Sequence, residues 1–184
     1  MKNEKTSRLV TSAMLIALAV ILSMIPFLQM PLGGKLTLFS MLPICLIPMK
    51  YGTKWGLFSA FVYAVLQLVL DLGAVFSWGL TPVTLVVCIL CDYLLAFTVL
   101  GFAGIFAKKG IVGQCIGVAM VVALRFLCHV ISGGTIFAVW SEWENVWFYS
   151  ICYNGAFMLP ECIMTVVGAW AILKLPQMKK AVHT

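Results

Sequence analysis

Almost all the lysines and arginines of this chain sit in four short places: Lys2, Lys5 and Arg8; Lys50 and Lys54; Lys108 and Lys109; and Lys174, Lys179 and Lys180. Between them the sequence is nearly all apolar. A pair of apolar helices between successive clusters puts all four clusters on one side of a bilayer, which is the asymmetry of the positive-inside rule. The expectation is an all-α membrane protein with six transmembrane helices and both the N and C termini cytoplasmic. Composition agrees, since 63% of residues are hydrophobic and 10% charged, against roughly 45–50% and 25% in a soluble domain. A length of 184 residues holds six spans of about 20 residues and little else, so residues 1–184 are expected to form a single integral membrane domain. The formal net charge of +6 lies beside helix ends, where it faces anionic lipid rather than nucleic acid.

Hydrophobic runs and breakers place the helices at about Arg8–Met24, Leu36–Met49, Trp55–Leu72, Thr81–Ala107, Ile111–Ser132 and Val146–Leu175. The basic head and apolar run at the start resemble a signal peptide, but no small-x-small site follows, so a retained first helix is expected. Pro31, Gly33 and Gly34 break the chain after it into a flexible loop able to serve as a lid. Seven cysteines, an odd number within apolar segments, read as free thiols. Cys88 and Cys91 form a CxxC, yet on a helix in lipid positions i and i+3 merely share a face, and neither a metal nor a redox centre is expected.

A polar residue inside a span needs a partner or a task. Asp92, Arg125, His129, Tyr149, Asn154 and Glu161 are the candidates. At about 1.5 Å per residue, Asp92 lies roughly 16 Å below the outer face, and His129 roughly 27 Å above the inner face of a core about 30 Å thick. Tyr149 and Asn154 fall within about 12 Å of the outer face. Converging there, a carboxylate, an imidazole, a phenol and a carboxamide suit a small, flat, nitrogen-rich cation. Simpler readings stand beside this one. Arg125 lies at a depth close to that of Asp92, so the two can neutralise one another as a buried ion pair. A lone histidine can be satisfied by a backbone carbonyl, and Tyr149, Trp140, Trp143 and Trp147 sit where an interfacial aromatic belt belongs. Glu161 follows Pro160 and either extends the polar lining or holds the disturbed backbone. In the first helix, Ala13 and Ala17 make a small-residue stripe that serves either internal packing or docking of a partner membrane protein.

The chain resembles the thiamine-specific S components of energy-coupling factor transporters, the substrate-binding membrane subunits of bacterial vitamin uptake systems. The resemblance runs from AMLIALAVILSMIP through PLGGKLTLFSMLPICLIPMKYGTKWGL, CDYLLAFTVLGFAGIFAKKG and LRFLCHVISG to VWFYSICYNGAFMLP. Asp92 with Tyr93, the run His129, Ile131, Gly133, and the run Tyr149, Ser150, Asn154 are its most specific parts. It implies an S-component bundle in the bacterial cell membrane with thiamine as transported ligand and no cofactor. Thiamine contacts are implied at Asp92, His129, Tyr149 and Asn154, with Tyr93 adjacent. Ala13 and Ala17 fall on the alanine motif that docks such subunits on a coupling protein. An outer-loop tryptophan of some relatives has no ungapped match; Phe137 or Trp140 can fill that role, with Trp140 preferred. Aspartate replaces the glutamate of some relatives, and the first outer loop lacks a covering tryptophan. With no GxxxxGK[ST] motif, the chain implies two ATPases and a transmembrane coupling protein as partners. The alternatives are an S component for another vitamin or for a thiamine precursor such as the hydroxymethylpyrimidine, and an intramembrane enzyme using Glu161 and His129. Against an enzyme, HExxH, GxSxG and paired-acid patterns are absent.

Overall fold

A computed structural model of the chain describes residues 2–30 and 33–176. Pro31 of the expected outer loop, and Lys179 and Lys180 of the fourth basic cluster, lie outside the described residues. In chain order the elements are α1 (Lys2–Ser23), β1 (Pro26–Gln29), β2 (Lys35–Thr37), α2 (Leu42–Tyr51), α3 (Thr53–Ser77), α4 (Pro82–Phe102), α5 (Gly110–Thr135) and α6 (Val146–Leu173). All but α2 among the helices are long and apolar enough to cross a membrane. Local signals set the ends: Pro82 opens α4 behind Thr81, whose hydroxyl accepts from Thr84 N–H, and Asn145 accepts from Phe148 N–H at the start of α6.

The second transit departs from the sequence reading. In place of a helix from Leu36 and an irregular loop before it, β1 and β2 form an antiparallel hairpin in which Pro26 faces Thr37, Leu28 faces Leu36 and Gln29 faces Lys35. Non-helical backbone at membrane depth is tolerated only inside protein. Accordingly Leu36, Thr37, Ser40 and Met41 are all buried. Phe39, in the left-handed region at φ 60, turns the chain, and α2 completes the transit with every residue from Leu42 to Met49 buried. A helix that is hydrophobic all round belongs in the interior, and α2 occupies it. Leu9, Met14, Phe58, Val69, Ile151, Leu159 and Val167 on the outer helices are exposed and form the lipid face.

The helices meet closely where side chains vanish. A Cβ on Gly101 of α4 would lie 2.5 Å from the backbone of Leu57 on α3, and one on Gly117 of α5 would lie 2.2 Å from the carbonyl oxygen of Ala103. Without side chains at these points the backbones reach van der Waals contact, the main source of helix association in lipid. Gly101→Ala is therefore expected to destabilise the bundle by about 1–3 kcal/mol through overpacking, measurable as a lower midpoint of thermal unfolding in detergent.

A polar, aromatic-walled pocket at one end of the bundle

The end of the bundle opposite Lys50, Lys54, Lys108 and Lys109 holds a cavity of about 950 Å³, including its open mouth, lined from β2 and from α3 to α6. Three carboxylates descend into it. At about 1.5 Å per residue from the pocket-side helix ends, Asp71 on α3 lies about 9 Å deep, Asp92 on α4 about 15 Å and Glu161 on α6 about 22 Å. Each has a nitrogen partner on another element: Lys35 of β2 for Asp71, and His129 and Arg125, both of α5, for Asp92 and Glu161 respectively.

Asp92 is the most heavily bonded of the three. The stretch Ile89–Leu95 is a π-helical turn within α4, and such turns recur at functional sites. Wider winding narrows the angle between neighbours, and both Asp92 and Tyr93 line the cavity. Oδ1 of Asp92 lies 2.8 Å from Nδ1 of His129. With the carboxylate ionised, the imidazole Nδ1–H donates this bond. Ser132 Oγ donates to Oδ2 of Asp92, and Cys88 Sγ reaches the same oxygen at 3.5 Å. His129 Nε2 is buried without a partner among the described residues. Asn154 donates to the carbonyls of His129 at 3.3 Å and Ser150 at 2.9 Å, and Ser150 donates to Val130 O at 2.9 Å. Gly133 makes this crossing of α5 and α6 possible, because a Cβ there would lie 2.3 Å from Ser150 Oγ.

Aromatic rings build the walls. Tyr149 stacks on Tyr153 at 5.9 Å between centroids, and Tyr153 meets Phe157 edge-on at 6.0 Å. Across the mouth Trp78 packs edge-on against Phe137 at 5.2 Å. The sequence-predicted residues Asp92, Tyr93, His129, Tyr149 and Asn154 thus share one cavity, whereas Trp140 is not among its lining residues. Phe137 lines the cavity and Trp140 packs behind it at 5.5 Å. The turn Phe137–Trp140 is 3₁₀, and three residues per turn send Trp140 and Phe137 the same way at successive heights. Lys35, Asp71, Trp78 and Tyr153 also line the cavity, although the sequence reading gives none of them a role and places Asp71 only beside the outer loops. The spacing of Asp71 on the apolar face pattern of α3 was the one available signal.

Arg125 pairs not with Asp92 but with Glu161, Nη1 to Oε2 at 3.9 Å, and it lies over the Phe97 ring at 4.3 Å. Glu161 Oε1 accepts from Thr37 at 2.5 Å and from Ser40 at 3.3 Å. Glu161 therefore does extend the polar lining. Removing one partner of a buried pair strands the other, so Glu161→Leu is expected to cost about 3–5 kcal/mol, and the double variant Arg125→Leu/Glu161→Leu to recover most of it. Thermal unfolding of the purified single and double variants measures both. All seven cysteines are free, and among the described residues no cluster of His, Cys, Asp or Glu could hold a metal ion.

A six-helix membrane bundle with a ligand-sized pocket, walled by aromatic rings and floored by paired charges, defines a solute-binding membrane protein. A profile of the thiamine transporter protein (Thia_YuaJ) family matches residues 9–181. The thiamine transporter ThiT of Bacillus subtilis is 34% identical over 181 residues, covering 90% of each chain. ThiT of Lacticaseibacillus paracasei is 25% identical over 181 residues, covering 91% of this chain and 87% of the relative. A solved structure of ThiT from Listeria monocytogenes superposes with a TM-score of 0.74 at 20% identity, over 97% of this chain and 98% of that one, and shares the fold. The chain belongs to the thiamine transporter family. It is a multi-pass membrane transport protein and not an enzyme, as its resemblance to S components implied.

Proposed function

We propose that this chain captures thiamine at the outer membrane face and delivers it across the bilayer as the S component of an energy-coupling factor transporter. The observation that carries this reading is the Asp92–His129 pair, set at membrane depth between aromatic walls, in a chain of the thiamine transporter family. By the positive-inside rule the end bearing Lys50, Lys54, Lys108 and Lys109 faces the cytoplasm, so the pocket opens outward. Asp92 accepts hydrogen bonds from the aminopyrimidine and offsets the thiazolium charge in a low dielectric. His129 and Asn154 supply further polar contacts. Tyr149, Tyr93 and Phe137, the last backed by Trp140, offer ring faces for stacking and cation–π contact.

Counting histidine as uncharged, the cavity lining holds three carboxylates and two cationic side chains, Lys35 and Arg125. One negative charge in excess matches a monocation such as thiamine. ATP hydrolysed by two ATPase subunits would drive release, passed on through a transmembrane coupling protein. Ala13 and Ala17 are exposed on α1 while Ser12 and Ala19 are buried, so the alanine stripe faces away from the bundle and is free to meet that partner.

Asp92→Ala is expected to weaken thiamine binding by at least about 100-fold, the scale of two or more lost charge-assisted hydrogen bonds, with the bundle still folded. Quenching of tryptophan fluorescence during a thiamine titration in detergent reads this directly, and competition by the hydroxymethylpyrimidine tests the precursor as substrate. Unchanged affinity would remove Asp92 from the site. Replacing Ala13 and Ala17 with leucine is expected to preserve binding yet abolish ATP-dependent uptake in a reconstituted complex.

A further inference from the structure

The outermost of the three charged pairs differs from the other two. Lys35 Nζ lies 2.7 Å from Asp71 Oδ1, with the side chains 33% and 24% exposed, whereas those of Arg125 and Glu161 are 10% and 1% exposed. Tyr93 OH lies 3.4 Å from the other oxygen of Asp71, so the pair touches a residue of the deeper site. Asp71 sits about 6 Å nearer the opening than Asp92 by helix rise. A ligand anchored by its ring at Asp92 and extending toward the opening runs alongside the Lys35–Asp71 pair, both members of which line the cavity. An ammonium carries three donors and Asp71 takes one, which leaves Lys35 able to bond an anionic oxygen without leaving its partner. Partial solvation keeps the pair itself weak, and its charges remain available to whatever enters.

We propose that Lys35 and Asp71 are specificity-determining residues that read the charge of the outward end of the ligand: Asp71 favours a cation, and Lys35 contacts an anionic substituent such as a phosphate ester. The inference rests on the thiamine reading above. It makes the two residues opposite in effect, although they form one ion pair.

The test titrates thiamine and thiamine monophosphate into the purified full chain and its variants. Lys35→Met, which keeps the apolar stem, is expected to weaken the monophosphate at least about tenfold while thiamine holds within about threefold or tightens, the scale of one partly screened charge. Asp71→Asn is expected to weaken thiamine at least about tenfold and to shift the affinity ratio the opposite way. Lys35→Arg and Asp71→Glu, which keep the charges, should leave the ratio near its starting value, and rising ionic strength should shrink the difference between wild type and Lys35→Met. A role confined to holding the hairpin would shift both ligands together in each variant, and that result, or an unmoved ratio, overturns the proposal. If Asp71→Asn fails to fold, the comparison of Lys35→Met with Lys35→Arg decides it. Absence of saturable thiamine binding by the wild-type chain would instead remove the thiamine reading itself, and this inference with it.

Discussion

Hydrocarbon offers no hydrogen bonds, so a polar group that this chain carries into the bilayer depends on partners that the chain itself supplies. Glu161 shows the consequence: its Oε1 accepts two hydrogen bonds, while Oε2 relies on the Arg125 guanidinium at 3.9 Å. It is 1% exposed, and its partners come from three elements: Arg125 from α5, Thr37 from β2 and Ser40 from the link into α2. One carboxylate thereby fixes the position of the hairpin, the start of the buried helix and the inner end of the pocket. Such a pair adds little net stability over an apolar replacement. Its value here is geometric, because only one arrangement of these elements leaves no stranded charge.

The hairpin is held at three heights. Lys35 meets Asp71 on α3, Gly34 N–H donates to Tyr153 OH on α6 at 3.2 Å, and Thr37 meets Glu161. These contacts grow from an ion pair partly open to solvent to a hydrogen bond buried at the floor. The segment that sequence reading treats as a flexible loop is thus a wall of the cavity, tied most firmly where water is scarcest. Aromatic rings close the remaining sides, and because they stack on one another rather than stand alone, the site is preorganised for a flat ligand.

How far the site could be read from the sequence follows from what helix periodicity contains. Rise per residue gives depth, and depth was enough to bring Asp92, His129, Tyr149 and Asn154 together. Rotation about each helix axis and the packing of neighbours are not contained in it. Arg125 therefore stood as near to Asp92 in depth as to any acid, yet it turns toward Glu161 and Phe97. Trp140 and Phe137 lie in the same short 3₁₀ turn, and only the packing of Trp78 against Phe137 determines which ring reaches the cavity. Lys35 and Asp71 carry no role in the sequence reading because one lies in the segment read as a loop before a helix and the other near a helix end beside the outer loops, where a charged residue needs no explanation.

The sequence by itself determined the class and the number of helices, because apolar length acts residue by residue against the same bilayer. It also determined which polar residues had to be accounted for, since each is costly in hydrocarbon wherever it sits. Tertiary structure alone decided which of those residues face one another, how the second transit splits into a hairpin and a ten-residue helix, and which aromatic ring lines the pocket. These are outcomes of contact between segments far apart in the chain, and contact depends on helix rotation and close approach at Gly101, Gly117 and Gly133, which no local pattern encodes.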